Sequence, residues 1–240
     1  MINNAGYMTV LNLNTAAKPG DKNHWGELQA AGRALAIAEA ASQFDGLSVL
    51  ITETAREAVA QSRTLKFFTA EQSLEILSFP DWETLPYDIF SPHQDIVSAR
   101  VQTLANLSNA KHALLVVPLP TLLHRLAPID FIASRTFSYT VGEDLDRDQL
   151  KDQLSRAGYH RVDTVYEHGE YAFRGSLIDI YPMGEKQPLR IDLLDDEIES
   201  LRLFDAETQR TTENIPQIQL LPAREFPLDK QATNLFLNNW

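Results

Sequence analysis

Residues 189–205, Leu189-Arg-Ile-Asp-Leu-Leu-Asp-Asp-Glu-Ile-Glu-Ser-Leu-Arg-Leu-Phe-Asp205, alternate apolar and polar side chains on either side of Asp195-Asp196. Alternation with period two is the pattern of a half-buried strand, and paired aspartates are a turn signal. Leu189, Ile191 and Leu193 fall on one face, and Arg190, Asp192 and Leu194 on the other. With the first face turned to a core, an arginine and a leucine are left together on the open one. That composition suits a protein contact. A second stretch, His168-Gly-Glu-Tyr-Ala-Phe-Arg-Gly-Ser-Leu-Ile-Asp-Ile-Tyr-Pro182, alternates in the same way. Its count places Ala172, Arg174 and Ser176 on one face, opposite Phe173 and Leu177. Strands that follow one another without helices, with turn signals at Gly169, Gly175, Gly184 and Asp195-Asp196, predict an antiparallel sheet.

Upstream the pattern is different. The alanine-rich run from Trp25 to Ser42 predicts a helix, and Leu47–Ile51 a short buried strand. A helix is predicted from Thr54 to Thr64, with Thr52 or Thr54 as its N-cap. Strands over 74–79 and 112–117 alternate with a helix over 96–107 and a helical turn from Thr121. Short apolar strands alternating with helices indicate a parallel α/β layer. A polar helix over 144–157, capped by Gly158, opens the strand-rich part. The fold class is therefore α/β, a parallel sheet domain with an inserted antiparallel α+β domain. The divisions expected are a flexible lead-in over 1–22, the parallel domain over 23–135, the insert over 136–218, and a return towards the first domain over 219–240.

Composition narrows the function. The 240 residues carry a formal net charge of −12 and no cysteine, which removes disulfides, thiolate nucleophiles and thiolate-held zinc, and fits a reducing, cytoplasmic setting. Residues 1–135 hold 10 Lys and Arg against 13 Asp and Glu; residues 136–240 hold 11 against 20. Neither part has the basic cluster that a nucleic-acid surface uses to neutralise phosphates. No apolar run reaches the roughly 20 residues of a membrane span, and no signal peptide is indicated at the N-terminus.

No chemistry stands out. The nearest approach to a phosphate-binding loop, Gly26 to Gly32-Arg33-Ala34, has the wrong spacing, and Ala34 lacks the hydroxyl that would hold magnesium. The six histidines show no metal-ligand spacing, and His93 reads as a loop-fixing hydrogen-bond partner. No Gly-x-Ser-x-Gly elbow occurs. The aromatic and proline-rich segment DWETLPYDIFSPHQD (81–95) reads as a packed connection, with Trp82, Leu85, Tyr87 and Phe90 covering the edge of the parallel sheet. A base-stacking surface is the other reading, and the segment lacks the lysines and arginines this would use.

Three stretches, 81–95, EHGEYAFRGSLIDIYPMG (167–184) and LRIDLLDDEIESLRLFD (189–205), closely resemble the N-terminal region of bacterial transcription-repair coupling factors. That region is similar in turn to the damage-recognition protein UvrB. The resemblance runs from about Trp25 to the end. It implies a degenerate, helicase-like parallel domain without a working nucleotide site, and an inserted domain that docks UvrA. It also implies a longer protein, an ATP-dependent DNA translocase acting on RNA polymerase stalled at damage and recruiting nucleotide excision repair. Its magnesium- and ATP-using motor and its polymerase- and double-stranded-DNA-binding modules would lie outside this chain. This region would then have no catalysis and no cofactor of its own. The family's UvrA contacts fall on Arg174 and Arg190, with Leu194 standing where relatives carry an aromatic. Arg174→Ala or Arg190→Ala is expected to weaken UvrA binding about tenfold or more, with the thermal midpoint nearly unchanged.

Read from the residues alone, two alternatives remain open for the arginines. They serve a partner's carboxylates, or they pair with nearby acids such as Asp192 or Glu170 on a solvated sheet, where such pairs contribute about 0–1 kcal/mol. A UvrB-like module binding damaged DNA or nucleotide is the alternative function.

Overall fold

The structure, a computed structural model, describes residues 11, 13–16, 18–85, 88–228 and 230–239. Along the chain run α1 (Ala30–Gln43), β1 (Leu47–Thr52), α2 (Ala55–Phe68), β2 (Glu75–Ser78), α3 (Gln94–Leu107) and β3 (Ala113–Pro118). Then follow α4 (Leu119–Leu122), α5 (Ile129–Ala133), β4 (Phe137–Thr140) and α6 (Arg147–Ala157). The strand-rich part holds β5 (His160–Arg161), β6 (Glu170–Arg174), β7 (Leu177–Ile180), β8 (Leu189–Leu194), β9 (Glu197–Phe204), β10 (Thr211–Ile215) and β11 (Gln217–Leu220). Helix α7 spans Lys230–Asn239.

The chain divides into two compact units, Met1–Asp81 with Asn109–Leu123, and Trp82–Ser108 with His124–Trp240. These do not follow a division at residue 135. Helix α3 groups with the second unit because Val101 is buried in that unit's core beside Phe131, Ile132 and Met183. The Ser98 hydroxyl also accepts the backbone N–H of Gly184 at 2.7 Å.

In the first unit, β1, β3 and β2 form a three-stranded parallel sheet with β3 at its centre. Leu114 and Val116 of β3 pack with Ala34, Ala38 and Ala41 of α1 and with Ala58 and Leu65 of α2. Alanines on α1 allow this close approach, and the Thr54 hydroxyl caps α2 by accepting the Glu57 N–H at 3.1 Å. The expectation of a buried strand over 47–51 is corrected. Only β3 is buried along its whole length; on the edge strand β1, Leu47, Val49 and Ile51 are 40%, 50% and 51% exposed. Of the predicted lead-in, residues 1–10, 12 and 17 lie outside the described residues. Within the rest, the Leu11 N–H donates to the buried Glu39 carboxylate at 3.1 Å, and the Asn14 carbonyl accepts the Trp25 indole N–H at 3.1 Å.

The second unit is built on a six-stranded sheet in the order β10-β9-β8-β7-β6-β5, antiparallel except for the β5–β6 pair. One face carries Ile178, Ile180, Leu189, Ile191, Leu193, Ile198 and Leu201 into a core shared with Leu150 and Leu154 of α6. Alternation along the strands dictates this face. Asp146 caps α6 through the N–H groups of Asp148 and Gln149, and Gly158 ends it at φ 96, a left-handed conformation that glycine adopts without strain. At Gly158 the Arg224 side chain lies 2.7 Å from where a Cβ would sit, so a larger residue there would have to displace it. Strands β4 and β11 pair as a separate antiparallel ribbon. No helix among the described residues is long and apolar enough to cross a membrane.

Candidate partner-docking site

Two hairpins of the six-stranded sheet, β6–β7 and β8–β9, close in two-residue turns, and these turns set which side chains meet. In the first, Gly175 takes φ 61 between Arg174 and Leu177, which pair across the strands. Directly opposed residues share a face, so the turn resets the alternation: Leu177 joins the Arg174 side and Ala172 faces Asp179. The expectation of Leu177 on the opposite face is thereby corrected. A period-two count holds within a strand and does not pass through a hairpin turn.

Across the next pair, Asp179 faces Arg190, and Arg190 faces Arg202. Arg174 and Arg190 therefore stand on β6 and β8, one strand apart, with β7 between them. Asp179 of β7 fills the gap. Its carboxylate, 1% exposed, accepts Arg190 Nε at 2.7 Å and Nη2 at 3.0 Å, and Arg174 Nη2 at 2.8 Å. This is a bidentate guanidinium–carboxylate pair with a second guanidinium on the same acid. The hydrogen bond to Asp179 raises the Arg190 guanidinium above its ordinary pKa; partial burial opposes this, and the charges of Asp179 and Asp192 add to it.

The surroundings fix Arg190 further. Its guanidinium lies 4.6 Å from the ring centre of Phe204, which is fully buried against Val165 and Ala172. Its Nη1 donates to the Gln209 carbonyl at 3.3 Å. Gln209 has φ 60 and is held by its own amide, which donates to the carbonyls of Val165 at 3.1 Å and Ala206 at 2.7 Å. Arg190 is thus 15% exposed and bonded from both ends of its fork, whereas Arg174 is 42% exposed and bonded through Nη2.

The acids that the sequence offered for these arginines are engaged elsewhere. Glu170 accepts the N–H groups of Tyr166 and Glu167 at 2.8 and 2.9 Å, and Asp192 accepts Arg202 Nη2 at 2.7 Å. Asp179 and Arg202 are the residues that sequence reasoning missed. The available signal was Asp179 itself, an acid flanked by Ile178 and Ile180 that hairpin register carries onto the arginine face.

Leu194 is 65% exposed at the end of β8, next to the turn at Asp195, which has φ 57. The hairpin tip is held from the side, Leu145 N–H donating to the Asp196 carbonyl at 2.7 Å and Ile198 N–H to the Glu143 carbonyl at 2.9 Å. Four residues of strand separate Leu194 from Arg190, roughly 13 Å. Leu194 therefore sits at the rim of the arginine cluster and not at its centre. The nearer apolar neighbour on this face is Leu177, opposite Asp192.

The expectation that the 81–95 segment packs as part of the parallel domain is corrected. Trp82 onwards belongs to the second unit, and Leu85 and Phe90 are 77% and 73% exposed; Tyr87 lies outside the described residues. Trp82 itself is anchored: its indole donates to Glu225 at 2.8 Å, stacks on His124 at 4.6 Å, and carries the Arg100 guanidinium at 4.8 Å. Three other histidines have hydrogen-bond partners, with His112 Nδ1 3.0 Å from the Phe44 carbonyl. His93 caps α3 by accepting the Asp95 N–H, and His168 bridges Asp95 and the Glu185 carbonyl at 2.8 Å each. Among the described residues no cluster of three His, Asp or Glu is placed to hold a metal ion.

Comparison with known proteins bears on this sheet directly. The family described as the UvrB interaction domain matches residues 137–226, which include every strand from β4 to β11. The transcription-repair-coupling factor of Escherichia coli K12 is 45% identical over 223 residues, covering 93% of this chain and 19% of that protein. Its counterpart in Haemophilus influenzae is 44% identical over 91% of the chain, and that of Staphylococcus aureus Mu50 is 34% identical over 82%. The chain spans about a fifth of the length of the first two relatives and 16% of the third.

Proposed function

From the premise that this chain is a UvrB-like N-terminal region of the transcription-repair-coupling factor family, we propose that it docks UvrA on the arginine-bearing face of the six-stranded sheet. In the longer protein this docking would bring nucleotide excision repair to RNA polymerase stalled at DNA damage, in the cytoplasm. ATP hydrolysis, DNA translocation and polymerase contact are assigned to other regions, and this one has no catalytic step. On the same reading the three-stranded parallel layer is a degenerate helicase-like domain and the six-stranded sheet its inserted docking domain.

The observation that carries the proposal is the meeting of Arg174 and Arg190 on Asp179, on a face that also holds Leu177 and Leu194. The three charges sum to +1 and reach solvent through Arg174, a setting suited to one carboxylate of an acidic partner flanked by apolar contact. Calorimetric titration with purified UvrA tests this. Saturable binding is expected, weakened about tenfold or more by Arg174→Ala and several-fold by Leu194→Ala. A wild-type chain that takes up no UvrA rejects the docking proposal.

A further inference from the structure

We propose that Asp179 is the positioning residue of the docking face: it acts through Arg174, holding that guanidinium in the orientation a partner carboxylate meets, while Arg190 braces it. This rests on the UvrA-docking reading and adds to it a residue and a division of labour between the two arginines.

The geometry assigns the roles. Both Asp179 oxygens are occupied, Oδ1 by Arg190 Nε and Oδ2 by Nη2 of both arginines. Arg190 spends its whole fork inside the sheet, on Asp179 and on the Gln209 carbonyl. Each of its three nitrogens already carries a bond, and at 15% exposure its remaining N–H groups are largely shielded from a partner. Arg174 commits Nη2, to Asp179 at 2.8 Å and at the limit of bonding range to Gln209 Oε1 at 3.5 Å. Among the described residues its Nε and Nη1 have no partner, and at 42% exposure they are open to a ligand.

A lone surface arginine samples many rotamers and loses that freedom on docking; one already held by a buried carboxylate has lost it beforehand. A carboxylate on the sheet's own face would compete with the partner's for the guanidinium if both sought the same edge. Asp179 takes Nη2 of Arg174, so Nε and Nη1 are left to donate single charge-assisted hydrogen bonds to a partner's carboxylate. Asp179 touches no partner itself, and its effect should vanish when Arg174 is absent.

A double-mutant cycle in UvrA affinity tests this, with Arg174→Ala, Asp179→Asn and the double variant compared by calorimetry. Asp179→Asn is expected to weaken binding about tenfold alone and less than about twofold in the Arg174→Ala background. In parallel, the guanidinium NMR signals of Arg174, restricted in the wild type, should become averaged in Asp179→Asn while backbone amides outside β6, β7 and β8 keep their positions. Binding by Asp179→Asn within about twofold of the wild type, or an equal loss with and without Arg174, overturns the inference alone. A wild type that binds no UvrA overturns the docking reading, and the inference with it. Should Asp179→Asn fail to fold, Asp179→Glu takes its place in the cycle; moving the carboxylate by one methylene should cost about threefold or more, and unchanged affinity overturns the assignment.

Discussion

Glu225 and Asp179 are both buried carboxylates, 5% and 1% exposed, and each is gripped by an arginine through two hydrogen bonds. Around Glu225 the network faces inward. Arg100 is wholly buried, and the Trp82 indole donates to the same acid. Around Asp179 the network has an open end, because a second arginine, Arg174, joins it from an exposed strand terminus. Burying an ion pair is costly in itself, since both charges leave water, so its presence alone says little about use. What separates the two is where the cation's remaining donors point. Arg100 holds the unit together; Arg174 has something left to offer.

The sharpest way to break this contrast is to remove the charge from the closed network. Glu225→Gln leaves a fully buried guanidinium without that carboxylate and should cost about 3–5 kcal/mol of stability in denaturant unfolding. UvrA affinity of the protein that remains folded should be unchanged. A cost under about 1 kcal/mol would mean that this network is no more structural than a surface pair.

A smaller effect separates the two arginines of the open network. Arg190→Ala strips a buried acid of its bidentate partner and uncovers the Phe204 ring, and should cost about 1–3 kcal/mol. Arg174→Ala should cost less than about 1 kcal/mol, since that side chain is largely solvated. Nearly unchanged thermal midpoints are the sequence-based expectation for both, and the structure revises this for Arg190. Equal losses in one set of melts would remove the distinction between brace and contact.

The smallest effect lies at the turn behind Arg190. The Asp205 carboxylate accepts both the N–H and the hydroxyl of Thr208 at 2.7 Å, and the Thr208 N–H bond, first among these, holds its pKa below the usual carboxylate value. A carboxyl with a depressed folded pKa contributes stability above its unfolded value, near 3.9, and loses it as pH falls through the folded one. An NMR titration should therefore place the Asp205 midpoint below the ordinary aspartate range, and Asp205→Asn should loosen Gln209 without moving α6. A midpoint at or above the ordinary value would detach this turn from the docking face.

Much of the fold was legible because it rests on local pattern. The strands of the sheet follow from alternation between Leu189 and Leu194, α6 from a polar helical run stopped at Gly158, and α2 from Thr54. Errors arose where a residue's surroundings are decided by neighbours distant in sequence. Leu47, Val49 and Ile51 look like a buried strand, but sheet order makes theirs an edge. Leu85 and Phe90 look like cover, but they stand exposed in a unit other than the one they were expected to seal.

The docking face divides along the same line. Sequence alone determined that Arg174, Arg190 and Leu194 lie in alternating strands, because the side-chain period of a strand is a property of the backbone. Only the tertiary structure decided that Arg174 and Arg190 are one strand apart, that Asp179 lies between them, and that Leu194 is at the rim. Those facts come from pairing register across hairpins. Register is set by turns and by the burial of a whole face, and no single strand records it.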